Sequence, residues 1–199
     1  AEHDAVLVAE PGARQDHRGQ PRVADVERQP GRDQAGLPRF EHQGFGQAGA
    51  QVEAGGSLEW LPQGTIVHEG ALARSTTHVQ LVGDAGFIGA EITALGRRAA
   101  GEQFRCGEWR QRFEIVRDGA PIWSERAVLR GDGALLTSVA GLDGAPVFGT
   151  FVAVKSGLSD ALMPALRALV PTEGTGSVTR LPDAIVARYV GASMEAAGA

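Results

Sequence analysis

The sequence predicts a mainly β protein, built of stacked and twisted sheets with a small helical element near the C-terminus. Three observations carry that reading. From Val52 onward, short runs of alternating apolar residues recur between glycine and Asp-Gly punctuation, the pattern of strands and hairpins. One pair of runs, Arg112–Val116 and Pro121–Arg126, flanks Asp118-Gly119, a strong short-range hairpin signal. Helical spacing of apolar residues is confined to the C-terminal part of the chain.

In chain order, Ser57–His68 reads as one or two strands interrupted at Pro62, because a residue without an N–H has no place in a central ladder. His78–Leu95 supplies two strands around a Gly83-Asp-Ala-Gly86 turn, and the Arg112–Arg126 hairpin follows. A further strand lies near Val147–Val154. Ser159–Val170 then reads as a helix with Leu162, Leu166 and Leu169 on one face, Pro164 falling in its first turn where proline is tolerated. Ser177–Val190 is a last strand, and the tail from Ser193 starts like a helix and reads as cut short.

Residues 1–50 differ in kind. Arg, Asp, Gln, Gly, Pro and His are mixed there, and large apolar residues such as Val23, Leu37 and Phe40 stand isolated, without a period of 2 or 3.6. The expectation is a disordered or frameshifted, non-native segment over 1–50 and a β-rich domain over 51–199. His3, His17 and His42 fall in this segment at irregular spacings, which speaks against a metal-binding tract.

A formal net charge of −5 gives no general pull toward nucleic acid or anionic membrane. Cys106 is the single cysteine, which precludes an internal disulfide, and it reads as a small half-buried residue. No secretory leader and no long apolar span is evident, so the reading is a soluble cytoplasmic protein. Phosphate-cradling loops and a Gly-x-Ser-x-Gly elbow are both missing from the sequence. His68 and His78 lie on separate predicted strands and read as hydrogen-bonded histidines before metal ligands. Glutamates recur in strand contexts, at Glu59, Glu91, Glu114 and Glu125. Any that point inward must be paired, hydrogen-bonded or wet, because an unpaired buried charge costs several kcal/mol. Trp60, Trp109 and Trp123 read as packing residues.

Five strings stand in one order over about a hundred residues: Glu53-Ala-Gly-Gly-Ser-Leu-Glu-Trp-Leu-Pro-Gln63, Val67-His-Glu-Gly-Ala71, Leu95-Gly-Arg-Arg-Ala-Ala-Gly-Glu-Gln-Phe104, Ile122-Trp-Ser-Glu-Arg126 and Pro146-Val-Phe-Gly-Thr150. Together they resemble the urease accessory protein UreD family, called UreH in some organisms. The resemblance implies a β-rich fold with a helical pair near the C-terminus. It also implies a maturation chaperone, not an enzyme, that binds apo-urease and works with UreF and UreG to insert nickel. No cofactor would be tightly bound, and nickel would be present only in transit. Inward carboxylates would then be transient stations for the ion, with Glu59, Glu69, Glu91 and Glu125 as candidates. Neither nucleic acid nor membrane enters that picture.

The chain departs from the family's pattern at two places. Gly64 stands where the family usually carries Glu after Leu-Pro-Gln, and residues 1–50 show neither its Gly-Gly-Asp motif nor its Thr-Thr-rich strand. Two other readings compete. One is a β-sandwich carbohydrate- or protein-binding module with the three tryptophans as an exposed platform. The other is a small hydrolase that uses two of the glutamates as acid and base.

Overall fold

The computed structural model describes residues 5–9, 42–169, 171 and 173–198. The predicted disorder or frameshift over 1–50 falls mainly on residues 1–4 and 10–41, which lie outside the described residues, as do His3 and His17.

The predicted hairpin is present. In β7 (Glu108–Arg117), Trp109, Gln111, Phe113 and Ile115 are buried while Arg110 and Arg112 are exposed, the period of two that a half-buried strand imposes. Asp118 and Gly119 take φ of 47° and 79°, as a type I′ turn demands of its two central residues, and the chain returns in β8 (Ala120–Arg130). The turn is tied to the neighbouring one: the Gly83 N–H donates to Asp118 Oδ1 at 3.0 Å, and Arg117 donates to the carbonyls of Gly83 and Ala85.

Two mixed sheets result. The first contains β1 (Ala5–Ala9), β2 (His42–Val52), β5 (Ala71–Leu81), β7 and β8 in the order β1-β2-β5-β7-β8. Its neighbours are parallel except for the β7–β8 hairpin. The second runs β10 (Thr175–Arg180), β11 (Ala184–Gly191), β9 (Val147–Val154), β6 (Gly86–Leu95), β3 (Ser57–Trp60), with β4 (Thr65–Val67) also on β6. Pro62 falls between β3 and β4, which share the same partner, as the interrupted pattern predicts.

The turn at residues 83–86 separates β5 from β6, but these consecutive strands lie in different sheets. Leu81 and Phe87 nevertheless enter one buried cluster from opposite sides. The alternation therefore marks both strands without naming their partners.

The C-terminal third needs two corrections. The predicted helix is reduced to a 3-10 turn (Asp160–Leu162) and α1 (Met163–Ala168), with Pro164 in the first turn. Leu162 and Leu169 are 47% and 74% exposed, so the leucine spacing does not mark a buried face, and it is Met163 that is buried. So short a helix draws little stability from its own hydrogen bonds. Ser177–Val190 resolves into β10 and β11, joined around Pro182 and Asp183, where the Leu181 N–H meets the Ala184 carbonyl at 2.8 Å. The tail forms α2 (Met194–Gly198), capped by Ser193 Oγ, which accepts from the Ala196 N–H at 3.1 Å. Ala196 and Met194 pack against Ala94, Val147 and Tyr189 on the outer face of the second sheet.

Between the sheets the core is split. One apolar cluster gathers Val79, Leu81, Phe87, Phe113, Ile115, Val152 and Val186, with Phe87 and Phe113 edge-on at 6.2 Å between ring centres. The other gathers Val67, Ala71, Leu95, Phe104, Trp109, Leu129 and Leu142. The stretch between them is polar.

Candidate functional site

The division of the core can be read strand by strand. Along the inward row of β7, Trp109 belongs to one cluster and Phe113 to the other, with Gln111 between. On β6 the row runs Phe87, Glu91, Leu95, and on β9 it runs Phe148, Thr150, Val152. On β5, Thr77 separates Ala73 from Val79, and on β11, Arg188 separates Val186 from Val190. On β8, Glu125 lies between Leu129 and Trp123. Register aligns the second-sheet members, Glu91 with Thr150 and Thr150 with Arg188, while in the first sheet Thr77 and Glu125 share a row through Phe113 and Gln111 lies one inward position further along β7. A polar seam thus crosses the sandwich at right angles to its strands.

Glu91 sits at the middle of the seam. Its carboxylate accepts hydrogen bonds from the Thr77 hydroxyl and the Gln111 side-chain amide, both on the opposite sheet and both nearly fully buried. Burial pushes the Glu91 carboxyl above its ordinary 4.5, the two hydrogen bonds oppose that rise, and the negative charge of Glu125 adds to it.

Toward the β8 edge, Glu125 Oε1 meets Arg188 Nη1 at 3.0 Å, and the Arg188 guanidinium lies 5.5 Å from the centre of the Trp123 ring. The second oxygen, Glu125 Oε2, is buried and has no hydrogen-bond partner among the described residues. Toward the opposite edge, a crevice of about 10 Å³ opens between β2 and β3, lined by Ala48, Ala50, Leu58, Trp60 and Thr77. That is room for about one water molecule. Thr77 faces both this crevice and Glu91, so crevice, Glu91 and Glu125 follow one another across the sandwich.

The four glutamates singled out from the sequence separate into two pairs. Glu91 and Glu125 point inward and are close enough to influence one another electrostatically. Glu59 is exposed on β3, and Glu69 is exposed in the turn before β5, where its backbone N–H donates to Glu102 Oε1 at 2.5 Å. An inward row of four carboxylates is therefore corrected to two, because the phase of β3 turns Glu59 outward and a turn leaves Glu69 in solvent. Sequence reasoning missed Thr77, Gln111, Thr150 and Arg188. Thr77, Gln111 and Thr150 carried a signal, each being a polar residue in the same alternation phase as buried apolar neighbours, whereas Arg188 carried none.

His78 lies on the outer face of the first sheet, 3.9 Å from Glu114, while His68 lies beside Glu102, so the two histidines keep different company. Cys106, expected half-buried, is exposed. Trp109 is buried, and Trp60 and Trp123 pack against the first apolar cluster, which removes the exposed tryptophan platform that a carbohydrate-binding module would need. A second cavity, of about 230 Å³ and lined by Arg167, Leu169, Pro171, Gly176, Ser177 and Val178, has no carboxylate on its wall among the described residues. Among the described residues, no three His, Cys, Asp or Glu side chains are grouped to hold a metal ion, and no helix is long and apolar enough to cross a membrane. The seam thus holds two carboxylates, one of them paired with Arg188, among hydroxyl groups and the Gln111 amide, a set unlike a closed metal site.

Comparison with known proteins agrees with the resemblance. The family model described as UreD urease accessory protein matches residues 40–199. The chain is 43% identical over 143 residues to the urease accessory protein UreD of Trichormus variabilis, covering 72% of this chain and 51% of that protein. It is 43% identical over 144 residues to the protein of that name from Azoarcus sp. (strain BH72), covering 72% and 50%. With the one from Pseudomonas fluorescens it shares 44% identity over 139 residues, covering 69% and 49%. The chain spans about half the length of the curated relatives it matches.

Proposed function

The chain belongs to the UreD urease accessory protein family, and from that premise we propose that it is a non-enzymatic urease maturation chaperone. In this reading it binds apo-urease in the cytoplasm and, together with UreF and UreG, brings about the delivery of nickel to the urease active site. The metal is cargo, and the chemistry of nucleotide hydrolysis belongs to a partner.

The polar seam is the observation that supports a role in passing the ion. A cation entering at the β2–β3 crevice would meet the Thr77 hydroxyl, then the Glu91 carboxylate, then the free oxygen of Glu125 near the far edge. Each position offers oxygen donors in small number, so nickel would keep part of its water shell and be released again, as a conduit requires and a storage site does not. Apolar clusters on both sides confine the ion to the seam. Arg188 sets the limit of the negative stretch by pairing with the other oxygen of Glu125. Glu59 and Glu69, both exposed, lie outside it.

Co-expression with the urease subunits, UreF and UreG tests the reading. The expected outcome is co-purification with apo-urease and UreF, and nickel-dependent appearance of urease activity. Failure to associate with either protein would sink the chaperone reading. The double variant E91Q/E125Q is expected to assemble normally and to activate urease more slowly at limiting nickel. Activation at the unmodified rate would remove the seam from the route.

A further inference from the structure

The outer face of the first sheet carries a charge pattern that the seam does not use. Glu114 is held between Arg112 at 2.6 Å and Arg126 at 2.9 Å, and Glu108 between Arg110 at 2.5 Å and Arg130 at 2.8 Å. Arg74 on β5 is exposed and stands in register beside Arg110. Among the described residues, five arginines against two glutamates leave this face at 5 − 2 = +3, on a chain whose formal net charge is −5. The charge of the molecule is segregated.

Stabilising a sheet by cross-strand ion pairs needs one arginine per glutamate. Here each glutamate has two, and the four arginines remain 48%, 51%, 61% and 67% exposed. A guanidinium presents five N–H donors in a planar fork suited to carboxylates, so most of this donor capacity faces outward. Val128, 43% exposed, is opposite Arg110 and sits between Arg126 and Arg130 along β8. Arginine is among the residues enriched at protein interfaces, where an apolar centre sits within a polar rim. A phosphate backbone would instead run over Glu108 and Glu114, which interrupt the basic surface. The patch measures about 20 Å along the strands and about 15 Å across them. It would occupy the middle of an interface of ordinary size, roughly 800 Å² per partner.

We propose that this face docks a carboxylate-bearing surface of a protein partner, the arginines engaging its acidic groups around an apolar contact at Val128. The inference rests on the reading that the chain works within a maturation complex, and it adds which surface makes the contact and with what chemistry. The occupant is an acidic protein face, not nucleic acid and not the same face of a second copy of this chain, which would also be positive.

The test uses the immobilised chain with purified apo-urease, purified UreF and a DNA duplex as three analytes, from about 50 to about 300 mM NaCl. The variant R74Q/R126Q/R130Q neutralises the face while leaving Arg112 on Glu114 and Arg110 on Glu108. R74A, which removes the one arginine that pairs with neither glutamate, is the second variant should the first fold poorly. At least one of the two proteins is expected to bind, with affinity falling steeply with salt, and the triple variant to bind it about tenfold more weakly with a flatter salt dependence. Unaltered binding by both variants would overturn the docking face and leave the chaperone reading intact. Binding of neither protein by the unmodified chain would overturn the chaperone reading and this inference with it. Tighter binding of the duplex than of either protein, lost in the triple variant, would assign the face to nucleic acid and overturn the proposal.

Discussion

Thr77 on the first sheet donates its hydroxyl hydrogen to the carboxylate of Glu91 on the second, so the two halves of the sandwich are joined by a hydrogen bond at the point where apolar packing is interrupted. Thr77→Val keeps the shape and removes the donor. Losing one buried hydrogen bond to a charged group costs about 1.5–3 kcal/mol, and we expect T77V to lower stability by that amount. Urea unfolding measures it. An unchanged midpoint would mean that the hydroxyl contributes nothing to holding the sheets together.

Glu91 makes stability depend on pH in an uncommon direction for a carboxylate. Burial raises its pKa above the ordinary 4.5, so the folded protein holds this proton more tightly than the unfolded chain does. The stabilisation is fully present below that ordinary value and is lost as pH rises through the raised one. E91Q cannot ionise, and its stability relative to the unmodified chain is expected to improve as pH rises above about 4.5 and to level off once pH has passed the raised value. Thermal melting across that range gives the answer, and a pH-independent difference would contradict the burial of charge at this position.

Glu114 works the other way. Arg112 and Arg126 hold its carboxyl at about 2, well below the ordinary 4.5. Its contribution is present above that ordinary value and disappears as pH falls through about 2. The stability gap between the unmodified chain and E114Q should therefore be widest near neutrality and close on acidification. Parallel acid titrations of E114Q and E91Q, followed by circular dichroism, are expected to diverge in opposite senses.

Legibility in the sequence followed the range of the interactions involved. The Arg112–Arg126 hairpin was readable because the Asp118-Gly119 turn fixes its register locally, and Val147–Val154 because it is a short run rich in valine and phenylalanine. The membership of β5 and β6 in opposite sheets was not, since residues 83–86 specify a turn without saying whether the chain folds back or crosses over. Among the site residues, Glu91 and Glu125 were identifiable as carboxylates in strands, but Glu59 and Glu91 look alike in sequence, each flanked by apolar residues. What separates them is the phase of each strand against its sheet, a tertiary property. Arg188 was invisible for the same reason: only the packing of β11 against β8 reveals that it answers Glu125.

That pairing supports a last prediction. Arg188→Met keeps an apolar stem against Trp123 and removes the only ion-pair partner of Glu125 among the described residues, whose other oxygen is already unpartnered. A half-buried carboxylate left in this state must find water or a proton, and we expect R188M to cost about 1–3 kcal/mol. E125Q removes the charge instead of stranding it and is expected to be milder. The double variant R188M/E125Q should be more stable than the sum of the single effects implies, by roughly 1 kcal/mol, because the neutral side chain no longer needs the arginine. Chemical unfolding of the four proteins closes the cycle. Strict additivity would show that Arg188 acts at this edge through its contact with Trp123 and not through its charge, and would leave Glu125 as a carboxylate whose affinity for a passing cation is set without the arginine.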